Sequence, residues 1–236
     1  MADLDGRVIA IAGAAGGLGP TVARRLAGDG AIIAATDRSQ ERLDQLGSDL
    51  GLPEDRYDGR VVDLLSEDAA QGWASALVER FGKVDALLHL VGGWKGGDPI
   101  ATTPLEDYEW LHDLLLHTVQ HTSRAFYDQL AGSDNGRYVL VSSSQAQHPN
   151  GTNASYAATK AAAESWTLAL ADSFKDTNAT ANIIVINAIL TPRMREENPE
   201  KEFRTFTSTE DLADAIRFVV GDSAAKMNGK RLDLYP

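Results

Sequence analysis

Short, solid apolar runs alternate with amphipathic segments from one end of this chain to the other, and that alternation restricts the fold more than any other feature. The runs are RVIAIA from Arg7, AIIAATD ending at Asp37, RVVDLL from Arg60, VDALLHLVGG from Val84, RYVLVSS ending at Ser143, ANIIVINA from Ala181 and KRLDLY from Lys230. Runs with no polar face are strands covered on both sides, and such strands belong to parallel sheets. The segments between them, among them TVARRLAGDG, RSQERLDQLGSDL, SEDAAQGWASALVERFG and STEDLADAIRFVV, carry the helical period. The pattern predicts an α/β, doubly wound Rossmann fold, a parallel sheet with helices on both faces. With 236 residues, 43% of them hydrophobic, and no repeat or linker, one domain spanning 1–236 is expected.

The first loop carries a mechanism. In GAAGGLG, between the first strand and the first helix, Gly13, Gly17 and Gly19 let the backbone turn tightly and approach a pyrophosphate held by the helix N–H groups and dipole. A tight strand-to-helix turn would use the same glycines. Asp37, at the end of the second run, sits where a carboxylate binds both ribose hydroxyls and repels a 2′-phosphate, which predicts NAD(H) in preference to NADP(H). The alternative for Asp37 is a cap on the helix that follows.

A second constellation lies in SSSQAQHPNGTNASYAATK, from Ser142 to Lys160. Tyr156 and Lys160 are four residues apart in a run with helical period, so they share a face. A phenol ordinarily titrates near pH 10, and an adjacent ammonium favours the phenolate and draws that pKa towards neutrality. The pair therefore suits proton donation and acceptance. Ser143 ends a buried strand, where a hydroxyl faces the ligand crevice and meets a carbonyl oxygen.

Composition narrows the remaining classes. The absence of cysteine excludes disulfides, thiolate nucleophiles and cysteine metal sites. The start, MADLDGRVIAIAG, enters a strand without a basic or apolar targeting segment, so a cytoplasmic location is expected. No apolar run approaches the roughly 18 to 20 residues that span a bilayer. A net charge of −12 argues against nucleic-acid and anionic-membrane partners, leaving a small-molecule substrate.

Together these residues resemble the short-chain dehydrogenase/reductase family over the whole chain. The loop matches that family's GxxxGxG, Asp63 matches the acidic position beside the adenine, and Ser143, Tyr156 and Lys160 match its catalytic serine, tyrosine and lysine. The resemblance implies that Tyr156 exchanges the proton at the substrate oxygen and that Ser143 hydrogen-bonds that oxygen. Lys160 would bind the nicotinamide ribose and lower the Tyr156 pKa. It adds Leu18, Leu64, Gly92, Ile189 and Thr191 to the cofactor-binding set, with Thr191 at the carboxamide. It also implies a homotetramer or homodimer built on the two long helices around Leu115 and Tyr156.

The chain departs from the family in three places. His89, Leu90, Val91 and Gly92 replace Asn-Asn-Ala-Gly, the helix asparagine of the proton relay falls on Leu115, and Pro-Gly is missing after Asn187-Ala188-Ile189. LVGGWKGG and the segment from Thr191 to Phe206 resemble the dihydropteridine reductases, which use NADH and lack the serine. Trp94 and Gln145 are candidate substrate residues, Trp94 as a face covering a flat ring. Two alternatives to carbonyl or alcohol chemistry stay open: reduction of a flat heterocycle, and a weakly catalytic NAD-binding sensor.

Other groups point elsewhere. His117 and His121 share a helical face with no third ligand in view and no HExxH signature, so no metal is expected. His89 and His112 read as structural or solvent-facing. A mobile substrate loop is expected over 191–208.

Overall fold

Along strand β1 (Val8–Ala12), Val8, Ala10 and Ala12 point into one layer of the core and Ile9 and Ile11 into the other, which is why the run has no polar face. A computed structural model describes residues 4–235 of the protein. β1 is flanked by β2 (Ile32–Asp37) and β4 (Ala86–His89), followed outward by β3 (Tyr57–Val61) on one side and β5 (Arg137–Ser143), β6 (Thr180–Ile186) and β9 (Arg231–Asp233) on the other. The seven-stranded order is β3-β2-β1-β4-β5-β6-β9, and every pairing is parallel. Strand order reverses between β1 and β4, which opens a crevice at their carboxyl ends.

Helices close both faces. Leu26 of α1 (Gly19–Gly28), Leu43 of α2 (Gln40–Leu50) and Ile216 of α9 (Thr209–Val220) cover the Ile9 and Ile11 side. Trp73 and Leu77 of α3 (Glu67–Phe81) and Ala163 of α7 (Ala154–Ser173) cover the other, where Trp73 meets Phe126 edge-on at 4.9 Å. Each buried Leu, Ile or Phe contributes roughly 1.5–3 kcal/mol by leaving water. The helix starts follow capping chemistry. Ser39, Ser66 and Ser208 each accept the N–H three residues on, from Arg42, Ala69 and Asp211.

Three expectations are corrected. The third strand starts upstream of RVVDLL, at Tyr57, and keeps only Arg60 and Val61 of that run, because Asp63 turns the chain by accepting the Leu65 N–H at 3.0 Å while its carbonyl takes the Ser66 N–H. The long helix expected around Leu115, whose apolar period is continuous from Pro104 to Leu130, is broken into α4 (Leu105–His112), a π turn (Asp113–His117), α5 (Thr118–Ala125) and α6 (Tyr127–Gly132). At the first break the Thr118 hydroxyl donates to the Leu114 carbonyl at 2.7 Å, and the Thr118 N–H bonds back to Asp113. The segment expected as a mobile loop holds α8 (Pro192–Glu197) and β8 (Phe206–Ser208), which pairs with β7 (Ala188–Leu190) in a separate parallel ladder.

Candidate active site

A cavity of about 950 Å³ runs along the carboxyl ends of β1, β2, β4, β5 and β6. At one end Gly13 adopts φ +83°, and a Cβ there would stand 2.9 Å from the Val91 nitrogen, so only glycine lets the loop pass beneath β4. Gly17 and Leu18 line the cavity beside it. Gly19 does not: it is packed behind the loop, where a Cβ would overlap the Ala14 carbonyl, and its task is to seat α1 against the turn.

Asp37 stands at the same end. Its Oδ2 accepts the Ala15 N–H at 3.0 Å and its Oδ1 accepts the Arg38 N–H at 2.8 Å, which fixes the carboxylate at the β2 tip. Arg38 and Arg42 line the same region, and Arg42 also donates to the Ala15 carbonyl. Arg42 reaches the site through the turn of α2, which brings it beside Asp37 from five residues further along the chain. Asp63 and Leu64 line the adjacent wall, and Gly92, Ile189 and Thr191 line the wall further in. Thr191 caps α8, its hydroxyl accepting the Met194 N–H at 3.3 Å. The positive end of α1, the close-approach glycine and a held carboxylate fit the pyrophosphate and ribose of a dinucleotide.

The sheet and α7 bring Ser143, Tyr156 and Lys160 to one wall of this cavity. The Ser143 hydroxyl accepts the Gln145 N–H at 3.3 Å and is hydrogen-bonded to Tyr156. Burial raises the Tyr156 pKa above 10, and only the Ser143 hydrogen bond opposes it. The expectation that Lys160 lowers it is therefore corrected: the Lys160 ammonium is buried, donates to the Val141 carbonyl at 3.0 Å, and is itself pushed down to about 8 by burial, with Glu164 opposing. Tyr156 is protonated at neutrality, the form a general acid needs.

Of the two readings of His89, structural and solvent-facing, the first holds. It is 1% exposed at the tip of β4, with Nε2 3.1 Å from Thr118 Oγ1 and Nδ1 3.2 Å from Thr122 Oγ1. Burial, then the Lys160 charge, lowers its pKa to about 3, so the imidazole is neutral. Leu115 is buried outside the cavity, whereas Leu114 and Thr118 line it. Thr118 thus offers the hydroxyl on this helix that the leucine at the family's asparagine position cannot. Sequence spacing hid it because the π turn moves the cavity-facing set by one residue.

The outer cavity is apolar. Trp94, Trp110, Leu114, Met194 and Phe206 line it, and Trp110 is steadied by Lys95, whose ammonium lies 5.0 Å over its ring and 2.5 Å from Asp107. Trp94 is 58% exposed at the mouth. Gln145 lines the cavity with its amide oxygen taken by Asn153 Nδ2 at 2.6 Å. Sequence reasoning missed Trp110 and Phe206; the spacing of Trp110, Leu114 and Thr118 was the available signal for the first.

The family model for short chain dehydrogenase matches residues 7–202. This chain belongs to that family. As an oxidoreductase of the short chain dehydrogenase family, it is 28% identical over 237 residues to 3-oxoacyl-(acyl-carrier-protein) reductase FabG of Thermotoga maritima, covering 96% of this chain and 95% of that one. It is 26% identical over 238 residues to 7alpha-hydroxysteroid dehydrogenase of Escherichia coli K12, covering 97% and 92%. Among solved structures, NAD+-bound xylitol dehydrogenase superposes with a TM-score of 0.86 at 23% identity, covering 98% of each chain, a likeness of fold.

Proposed function

We propose that this oxidoreductase uses NAD(H) in preference to NADP(H) and acts on a carbonyl or carbinol group carried by a flat, largely apolar molecule. The observation that carries the reading is the single cavity with Asp37 and the α1 amino terminus at one end, Ser143 and Tyr156 midway, and Trp94 and Trp110 at the other. When bound, the nicotinamide supplies or takes the hydride. The chain does the rest. Ser143 donates to the substrate oxygen as charge develops there, Tyr156 gives up its proton to that oxygen in reduction and recovers it in oxidation, and Lys160 holds the ribose. We place the protein in the cytoplasm as a single domain over 1–236 and as a homodimer or homotetramer.

The test is a screen of ketones, alcohols and quinonoid dihydropterin with NADH and NADPH. Tyr156→Phe lowers turnover by about 10²-fold or more and keeps NADH affinity. Wild-type turnover in that variant removes Tyr156 from the chemistry. Ser143→Ala costs about 10²-fold on a ketone, whose charge is localised on oxygen, and little on a dihydropterin, whose ring spreads it. Catalytic efficiency is higher with NADH, and Asp37→Ser narrows the gap because Arg38 and Arg42 then face a 2′-phosphate unopposed. Equal or better efficiency of the wild type with NADPH overturns the cofactor assignment.

A further inference from the structure

The π turn between α4 and α5 does more than break a helix. In an α-helix, residues five apart point about 140° away from one another, so the sequence gives no reason to pair His112 with His117. The turn, closed by the Thr118 N–H reaching back to the Asp113 carbonyl, inserts one residue and swings the two imidazoles together. Their ring centroids lie 4.4 Å apart at an interplanar angle of 80°. Asp113 completes the set: its Oδ1 is 3.0 Å from His117 Nδ1. One ligand atom from each of His112, Asp113 and His117 falls within 4.8 Å of the others.

From this juxtaposition we propose that His112, Asp113 and His117 form a binding site for a borderline divalent cation of the Zn²⁺, Co²⁺ or Ni²⁺ type. Two imidazoles and one carboxylate suit these ions and not Mg²⁺ or Ca²⁺, which take oxygen ligands. Metal–ligand bonds of about 2.0–2.2 Å need ligand atoms some 3–4 Å apart, a small closure from the spacing seen. The carboxylate neutralises part of the added charge, and the long side chains are partly exposed, His117 at 41% and Asp113 at 53%, so entry needs no rearrangement of the core. Three protein donors leave a fourth position open. Asp113 also lines the cavity, next to Trp110 and Leu114, so the ion stands at the outer wall of the substrate space. His121 stands outside the set: it stacks on His117 with 5.9 Å between ring centroids, and its ring nitrogens do not join the three ligand atoms that fall within 4.8 Å of one another.

The site is independent of the oxidoreductase reading and is tested without a substrate. Isothermal titration calorimetry of the tag-free full chain with Zn²⁺ should show saturable uptake of one ion per chain, with no comparable uptake of Mg²⁺. His112→Ala and His117→Ala should each weaken it by more than about tenfold, beyond the loss of an outer hydrogen-bond partner. His121→Ala and His148→Ala should leave it in place. Where a variant melts early, Asp113→Asn on the folded chain and the visible spectrum of the Co²⁺-loaded wild type serve instead; strong bands in that spectrum report nitrogen ligands at low coordination. Absence of saturable Zn²⁺ uptake, uptake that survives loss of both His112 and His117, or a pale aqua-ion Co²⁺ spectrum would each overturn the assignment.

Discussion

Lys160 shows how a single residue sets function against stability. Its folded pKa of about 8 lies below its ordinary 10.5, so relative to the unfolded chain the stability it allows is present above pH 10.5 and is lost as pH falls through about 8. At neutrality the buried ammonium therefore costs folding free energy, on the order of a few kcal/mol at about 1.4 kcal/mol per pKa unit. Lys160→Met should raise the melting temperature at pH 7, and the gain should shrink as pH approaches 10.5. The same substitution should abolish turnover, and wild-type cofactor affinity should fall above pH 8 as the ammonium is lost. Melting curves at pH 7 and pH 10 check the first pair, and NADH titrations check the last. A Lys160→Met chain that melts lower at pH 7 would show that the Val141 hydrogen bond outweighs desolvation.

At the scale of elements, the break between α4 and α5 organises the near side of the cavity. Thr118 is tied three ways: its hydroxyl meets Leu114 and His89, and its carbonyl accepts from Thr122 at 2.7 Å. Replacing it with valine keeps the shape, removes the hydroxyl and leaves His89 Nε2 unpaired in the core, at a cost of about 1–3 kcal/mol. Thr118→Val should therefore lower the unfolding midpoint in urea without changing the slope, and Thr118→Ser should restore it. An unchanged midpoint in Thr118→Val would mean that the backbone, not the hydroxyl, holds the turn. Other element boundaries were written locally, as the serines that start α2, α3 and α9 show. The π turn was not, because the helical period of PLEDYEWLHDLLLHTVQHTSRAF is continuous in apolar content and a one-residue insertion changes no composition.

At the scale of the whole molecule, the apolar groups left on the surface bear on assembly. Leu105 at 73% and Leu168 at 39% exposure lie on the two helices through which the family resemblance implies oligomer contacts. Leu105→Glu together with Leu168→Glu should convert the proposed homodimer or homotetramer into monomers by light scattering, with the monomer still folded. A wild type that is monomeric at working concentration would end that assignment. Local pattern accounts for what was legible in the sequence: period and apolar continuity predicted the parallel sheet and its helices, the glycines marked one end of the cavity and the Tyr156 to Lys160 spacing its middle, and both rest on rules that act over a few residues. The remaining features depend on groups distant in the chain and emerge only on folding. Burial raises Tyr156 where a neighbouring lysine alone would lower it, α2 delivers Arg42 to the Asp37 end, Thr118 and Thr122 enclose His89, and the π turn gathers His112, Asp113 and His117. Desolvation and contacts made across packed elements have no signature in residue spacing, because their magnitude is set by what the fold places around a side chain.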